Sequence, residues 1–264
     1  MMRTLLSKTL YDKRWFILGW SLILVFTIGF TVAFYPSFTE GGTFEQLSKT
    51  VPSQLQGFIG DEQSFGTIQG YIAEQLYNFR VPIMVMIMAL ILAQGLTVSE
   101  EERGTLRTLA SLPLSRTRIL WERWIAGVII FAIVTLLGVL TAWLSSLGVN
   151  ESLSFDFLWQ TTALSWLFGI AAFSLMYAVG TATGSRAVTM TAGLIIIMGG
   201  FILTTFGASV DWLKDWQILS LMHYANTDSI LKGSLDRLNV WILLLLSALS
   251  MLIATILFRR RDIG

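Results

Sequence analysis

The sequence predicts an all-α integral membrane protein with six transmembrane helices and both termini on the inner side. Three observations carry that prediction. Only 13% of the 264 residues are charged and 54% are hydrophobic, with mean hydropathy +0.68. An ordinary soluble domain carries about 25% charged residues, so the deficit places the chain in a membrane. Six stretches hold no Asp, Glu, Lys or Arg: 15–39, 81–99, 124–150, 157–185, 187–210 and 238–258. Each reaches or approaches the roughly 20 residues a helix needs to cross a hydrocarbon core of about 30 Å. If the N-terminus is inside, the inner segments carry thirteen Lys and Arg and the outer ones five, while acids run six to eleven the other way. The basic side is the cytoplasmic one, which gives the N-in, C-in orientation.

Composition also excludes functions. There is no cysteine, so no disulfide and no thiolate metal site. Net charge is +1, which implies no nucleic-acid partner. A single histidine and few clustered acids leave no expected metal site. No Gly-x-x-x-x-Gly-Lys-[Ser/Thr] occurs, so the chain is not an ATPase, and no catalytic constellation is expected in the spans. Ionisable groups at mid-membrane cost about 2.5–3.5 kcal/mol on insertion scales and are kept chiefly for function. The six runs have none, which argues against ion-coupled transport and for an external energy source.

Residues 1–14 place Leu5, Leu6 and Leu10 at helical spacing among Arg3, Lys8, Lys13 and Arg14. This predicts an interfacial helix on the inner surface; a basic flank that only sets topology is the plainer alternative. In the long first outer loop, 67–79 puts Ile68, Ile72, Leu76 and Phe79 on one face. A helix there would extend the second span outward, with Pro82 inside it as a kink.

The densest charge lies at 100–118, between the second and third spans. Ser99 with Glu102 reads as a capping box. Glu100, Glu101 and Glu102 fall where the helix dipole favours acids. Leu106, Leu109 and Leu112 form a ridge, and Pro113 stops the helix. A solvated loop obeying the positive-inside rule explains the arginines but not three glutamates and a leucine ridge. Glu122 and Arg123 mark the inner edge of the third span.

Between spans four and five, Arg186 is the single inner charge, and Gly180 and Gly184 form a small-xxx-small pair. Gly193, Gly199 and Gly200 with Thr189, Thr191, Thr204 and Thr205 make the fifth span the least bulky, fitted to a helix interface or a cavity wall. Segment 211–237 carries Trp212, Trp216, Leu219, Leu221 and Ile230, which suits short outer helices dipping into the membrane. His223, in this segment, reads as a satisfied polar residue. Trp15, Trp121 and Trp124 inside, and Trp143, Trp159, Trp212, Trp216 and Trp241 outside, form an aromatic belt.

The run Glu101-Glu102-Arg103-Gly104-Thr105-Leu106-Arg107-Thr108-Leu109-Ala110-Ser111-Leu112-Pro113-Leu114-Ser115-Arg116 closely resembles the signature of type-2 ATP-binding-cassette (ABC) exporter permeases. Phe258-Arg259-Arg260-Arg261-Asp262 is similar to their usual ending. The resemblance extends over 1–264 as a single permease domain. It implies that 100–118 holds a cytoplasmic coupling helix docking on a separate ATPase through Glu100, Glu101, Glu102, Gly104, Thr105, Leu106, Leu109, Leu112 and Arg116, with Arg186 as a second contact. It further implies two ATPase subunits that bind ATP and Mg, a second permease subunit, identical or not, and re-entrant outer helices before the last span. The fifth span would lie near the dimer centre and the substrate path, with the first and second; no residue of that path is assigned.

The function expected on this basis is ATP-driven export of a hydrophobic or amphipathic cargo (an antibiotic, a peptide or a lipid-like molecule) across the plasma membrane of a prokaryotic cell. Multidrug efflux is one form of it. The alternative is a non-transporting scaffold or sensor that uses the same loop to recruit a cytoplasmic partner.

Overall fold

The computed structural model describes residues 5–39, 66–98, 115–207 and 210–260. Six helices in it are long and apolar enough to cross a membrane: Arg14–Ser37, Ile68–Leu96, Arg116–Gly148, Phe155–Thr183, Arg186–Gly207 and Arg237–Arg260. No strand occurs among the described residues. The chain is a multi-pass, all-helical membrane protein. A short helix, Leu5–Asp12, precedes the first span.

The helices follow the charge-free runs, but the second and third begin earlier, at Ile68 and Arg116. A helix starts where its first N–H groups find a partner, not where charges stop. Thr67, Ser115 and Ser154 are those partners: each hydroxyl accepts from the backbone N–H three residues on, of Gly70 at 3.2 Å, Arg118 at 3.3 Å and Phe157 at 3.3 Å. The expected outward extension of the second span is present, with Ile68, Ile72 and Leu76 buried. Its irregularity is a π-helical stretch, Ala73–Arg80, after which Pro82 sits in the first turn of Val81–Leu96. Proline cannot donate to the carbonyl four residues back, and a widened turn removes that demand.

The fourth span is the hub and packs on the second, third, fifth and sixth. In their most apolar stretches the fourth and second spans are 67% and 61% buried, against 22–28% for the first, fifth and sixth. The third and fourth spans interlock reciprocally. The ring of Phe173 occupies the place where a side chain on Gly127 would begin, and that of Phe131 does the same at Gly169. Both rings are fully buried, with centroids 6.0 Å apart. Lipid tails are as apolar as side chains, so such close approach holds helices together by packing rather than by water exclusion.

Several polar groups inside the bundle bond to its own carbonyls and hydroxyls, while Ser21 Oγ, Gln94 Nε2 and Gln160 Oε1 are buried without a hydrogen-bond partner among the described residues. Thr135, Thr161 and Thr181 donate to carbonyls one turn back, at 2.7–2.9 Å. Tyr177 Oη donates to the Leu120 carbonyl at 3.0 Å, and Trp166 Nε1 to that of Val128 at 3.1 Å. Trp124 departs from the expected belt. It is half-buried and donates to Ser174 Oγ at 2.8 Å, while the other seven belt tryptophans are exposed. Of the glycine pair in the fourth span, Gly180 lies against Thr97 of the second span. Gly184 ends the helix instead, at φ +58°, a backbone region that glycine enters freely.

The outer segment forms short helical turns, Asp211–Lys214, Gln217–Leu219, Leu221–Ala225 and Asp228–Leu231. Leu221, Met222 and Ile230 face the bundle, while Trp212, Trp216, Ile218 and Leu219 face outward. The small face of the fifth span receives it: Ser220 Oγ donates to the Gly200 carbonyl at 2.9 Å and lies 2.6 Å from Thr204 Oγ1. Gly193, Gly200 and Thr204 of this face thus serve packing, while Thr191 is exposed and nothing lies close to Gly199. The bulky face, with Leu194, Ile195, Met198 and Ile202, is the exposed one. His223 stacks edge-on to Tyr224 at 5.3 Å.

Asn78, in the π-helical stretch, ties the second span to this segment. Its Oδ1 accepts from Thr227 N at 2.8 Å and from Thr227 Oγ1 at 2.7 Å, and its Nδ2 donates to Asp228 Oδ1 at 3.1 Å. Asn78→Ala leaves the buried Thr227 without its acceptor, at about 1–3 kcal/mol. Hydrogen exchange is expected to rise in 220–231 while the spans stay protected; unchanged exchange there would refute the tie.

Candidate functional site: the collar around the inner loop

The sequence points to 100–118 as the working element. Glu100, Glu101, Glu102, Gly104, Thr105, Leu106, Leu109 and Leu112 lie outside the described residues. The two ends of the loop, at Val98 and Ser115, are described, and four parts of the chain meet around them.

The first part is the end of the second span. Helix carbonyls in the last turn lack intrahelical donors, and cations are favoured beside them. Two cations supply the donors. Lys13 Nζ donates to the Gly95 carbonyl at 3.0 Å, and Arg123 Nη1 to that of Leu96 at 3.3 Å. Arg123 is only 3% exposed; its aliphatic stem lies in the bundle and its head sits where the helix end is negative. Thr97 closes the turn by donating to the Ala93 carbonyl at 2.7 Å.

The second part is the N-terminal helix. The carboxylate of Glu122, near the start of the third span, accepts from Leu6 N at 3.1 Å and from Arg118 Nε at 2.7 Å. An acid at the first turn of a helix meets free N–H groups and the positive end of its dipole. One end of the N-terminal helix is thereby fixed to the third span, and Lys13, just beyond its other end, to the second.

The third part is the start of the third span. Ser115 caps it, and Arg116 is exposed in its first turn. The fourth is the end of the sixth span, where Arg259 Nε donates to Thr117 Oγ1 at 3.2 Å. Arg186 opens the fifth span, also exposed, on the wall of an open basin of about 790 Å³ with Ser185, Met190 and Thr191. Arg116 and Arg186 thus stand at the same end of the bundle on different helices.

The residues that build the collar, Lys13, Glu122 and Arg123, were not among those expected to form the site. Glu122 and Arg123 carried a signal in the sequence, as adjacent charges between Trp121 and Trp124 at a membrane edge. Lys13 looked like any basic residue of the inner flank. Nothing in the collar suits catalysis: it joins cations and one acid to backbone groups, with no group of three or more potential metal ligands among the described residues. What it provides is a set of direct bonds that tie the N-terminal segment and the second, third and sixth spans together near Val98 and Ser115.

No curated protein matches the chain in sequence. A family model does, that of the ABC-2 family transporter proteins, over residues 6–263. That match takes in all six spans, the collar and the segment between Val98 and Ser115, and the chain belongs to the ABC-2 family of transporter proteins, as a permease subunit of an ABC transporter.

Proposed function

We infer that this permease works as half of an ATP-driven exporter, paired with a second permease subunit and carried by two separate ATPase subunits. The observation that supports the reading best is the collar. A loop whose two flanking helices are bonded to each other, to the N-terminal segment and to the sixth span is suited to transmit a push from a soluble engine into the membrane. In this reading ATP and Mg act in the partner ATPases. Their closure presses on Glu100–Glu102 and the ridge Leu106, Leu109 and Leu112, with Arg116 and Arg186 as flanking contacts. Gly104 leaves room for close backbone approach. The cargo is hydrophobic or amphipathic, in keeping with spans free of ionisable residues, and export of antibiotics, peptides or lipid-like molecules from a prokaryotic cell fits it. The exposed bulky face of the fifth span is the surface offered to the second permease.

Tagged purification in mild detergent with an ATPase assay tests the reading. A P-loop subunit is expected at one-to-one stoichiometry. Glu101→Gln combined with Gly104→Leu is expected to remove most of the ATP turnover that the permease supports, roughly tenfold or more for two docking contacts. Recovery with a partner that has no P-loop would instead favour a recruiting scaffold.

A further inference from the structure

A groove of about 500 Å³ lies between the outer halves of the third and fourth spans. Leu136, Leu140 and Trp143 form one wall, and Phe155, Trp159 and Thr162 the other. Both sets recur at i, i+4, i+7, so each helix contributes one continuous face. The volume lies within the roughly 300–1,000 Å³ of small-molecule sites. The one hydroxyl in these walls, Thr162 Oγ1, has its hydrogen committed to the Leu158 carbonyl at 2.6 Å. The remaining wall is hydrocarbon and indole, so what fits is a hydrocarbon chain.

Two further observations say what that chain is attached to. The aromatic residues Trp143, Phe155 and Trp159 stand at the outer end, 45%, 80% and 57% exposed, where amphipathic rings mark the headgroup level. The stretch 143–162 that carries the groove and its rim holds Glu151 and Asp156 and no Lys or Arg, whereas the other two outer segments contain both signs. Both carboxylates are exposed. The turn that joins the two walls therefore attracts an ammonium and repels an anion, and a primary ammonium, unlike choline, has N–H groups to donate to the carboxylates. A protein partner is disfavoured by size: the groove exposes far less than the about 1,000 Å² that a stable protein interface buries.

We propose that this groove binds one outer-leaflet phospholipid with a primary-amine headgroup, of the phosphatidylethanolamine class. An acyl chain lies between the two walls and the ammonium sits at Glu151 and Asp156. The inference rests on the membrane embedding alone and stands apart from how the loop is driven.

The test uses the purified full chain in phosphatidylcholine vesicles containing a small fraction of brominated phosphatidylethanolamine or brominated phosphatidylglycerol. Bromine quenches tryptophan on contact. Brominated phosphatidylethanolamine is expected to quench a component that disappears in W143F/W159F, at about fivefold lower lipid fraction than the glycerol lipid. Glu151→Gln with Asp156→Asn is expected to erase that preference while leaving the fluorescence spectrum of the folded chain unchanged. Equal quenching by the two lipids, or quenching untouched by W143F/W159F, overturns the proposal. So does a disulfide between two copies of Leu140→Cys in this otherwise cysteine-free chain, which would make the groove a protein interface.

Discussion

Gly169→Leu is expected to cost the bundle about 3 kcal/mol or more, beyond the usual range for an overpacked site. A Cβ at 169 would lie 2.6 Å from the Phe131 ring, whose place is fixed by the same interlock. The ring has nowhere to go, since Phe131 and Phe173 are fully buried and the third and fourth spans meet on both sides of them. The two helices must separate, and the fourth span is the one on which four others pack. Loss of monodisperse protein on heating in detergent measures this. Gly19→Leu is the control: nothing lies within 4 Å of a Cβ there, and the expected change is within about 0.5 kcal/mol. Adding Phe131→Ala to Gly169→Leu vacates the clashing volume and is expected to return part of the loss, because neighbouring substitutions are not additive. If Gly169→Leu melts like the parent chain, the reciprocal packing is not what holds these helices together.

Lys13→Met is expected to uncouple the machine rather than unfold it. The substitution removes a charged donor from the Gly95 carbonyl and with it the link from the N-terminal helix to the end of the second span. A hydrogen bond to a charged group is worth about 1.5–3 kcal/mol, which corresponds to roughly a 10- to 100-fold shift between linked and unlinked states. In the reconstituted complex, ATP turnover is expected to continue while transport per ATP falls about tenfold or more. Lys13→Arg keeps a donor at that end and is expected to keep most of the coupling. A ratio of transport to turnover that is unchanged in Lys13→Met would show that the collar is a structural anchor and not part of the drive.

Crossing the membrane is a local property. About 20 residues decide it, by length and by absence of charge, and so the number of spans and their approximate limits are legible in the sequence. The same holds for the signature at 101–116, whose meaning depends on neighbours a few residues apart. Packing is different. In a lipid environment every face of a span is apolar, and the hydrophobic pattern that marks the buried side of a soluble helix is missing. Whether a glycine is a contact or a blank depends on what stands opposite. Gly127 and Gly169 each receive a phenylalanine ring, Gly19 receives nothing, and Gly184 of the expected packing pair only ends a helix. The fifth span shows the same limit: its small residues suited an interface or a cavity wall equally, and the structure divides them, with the outer segment lying on Gly200 and Thr204 and Thr191 on the wall of the open basin. The collar is the furthest from sequence. Lys13 meets Gly95 and Glu122 meets Leu6 across 82 and 116 residues, pairings that no spacing rule foretells. They follow from a tertiary fact: once the second and third spans both pack on the fourth, the bare carbonyls at the end of one and the carboxylate near the start of the other come close to the same N-terminal segment, where Lys13 and the Leu6 N–H become their partners.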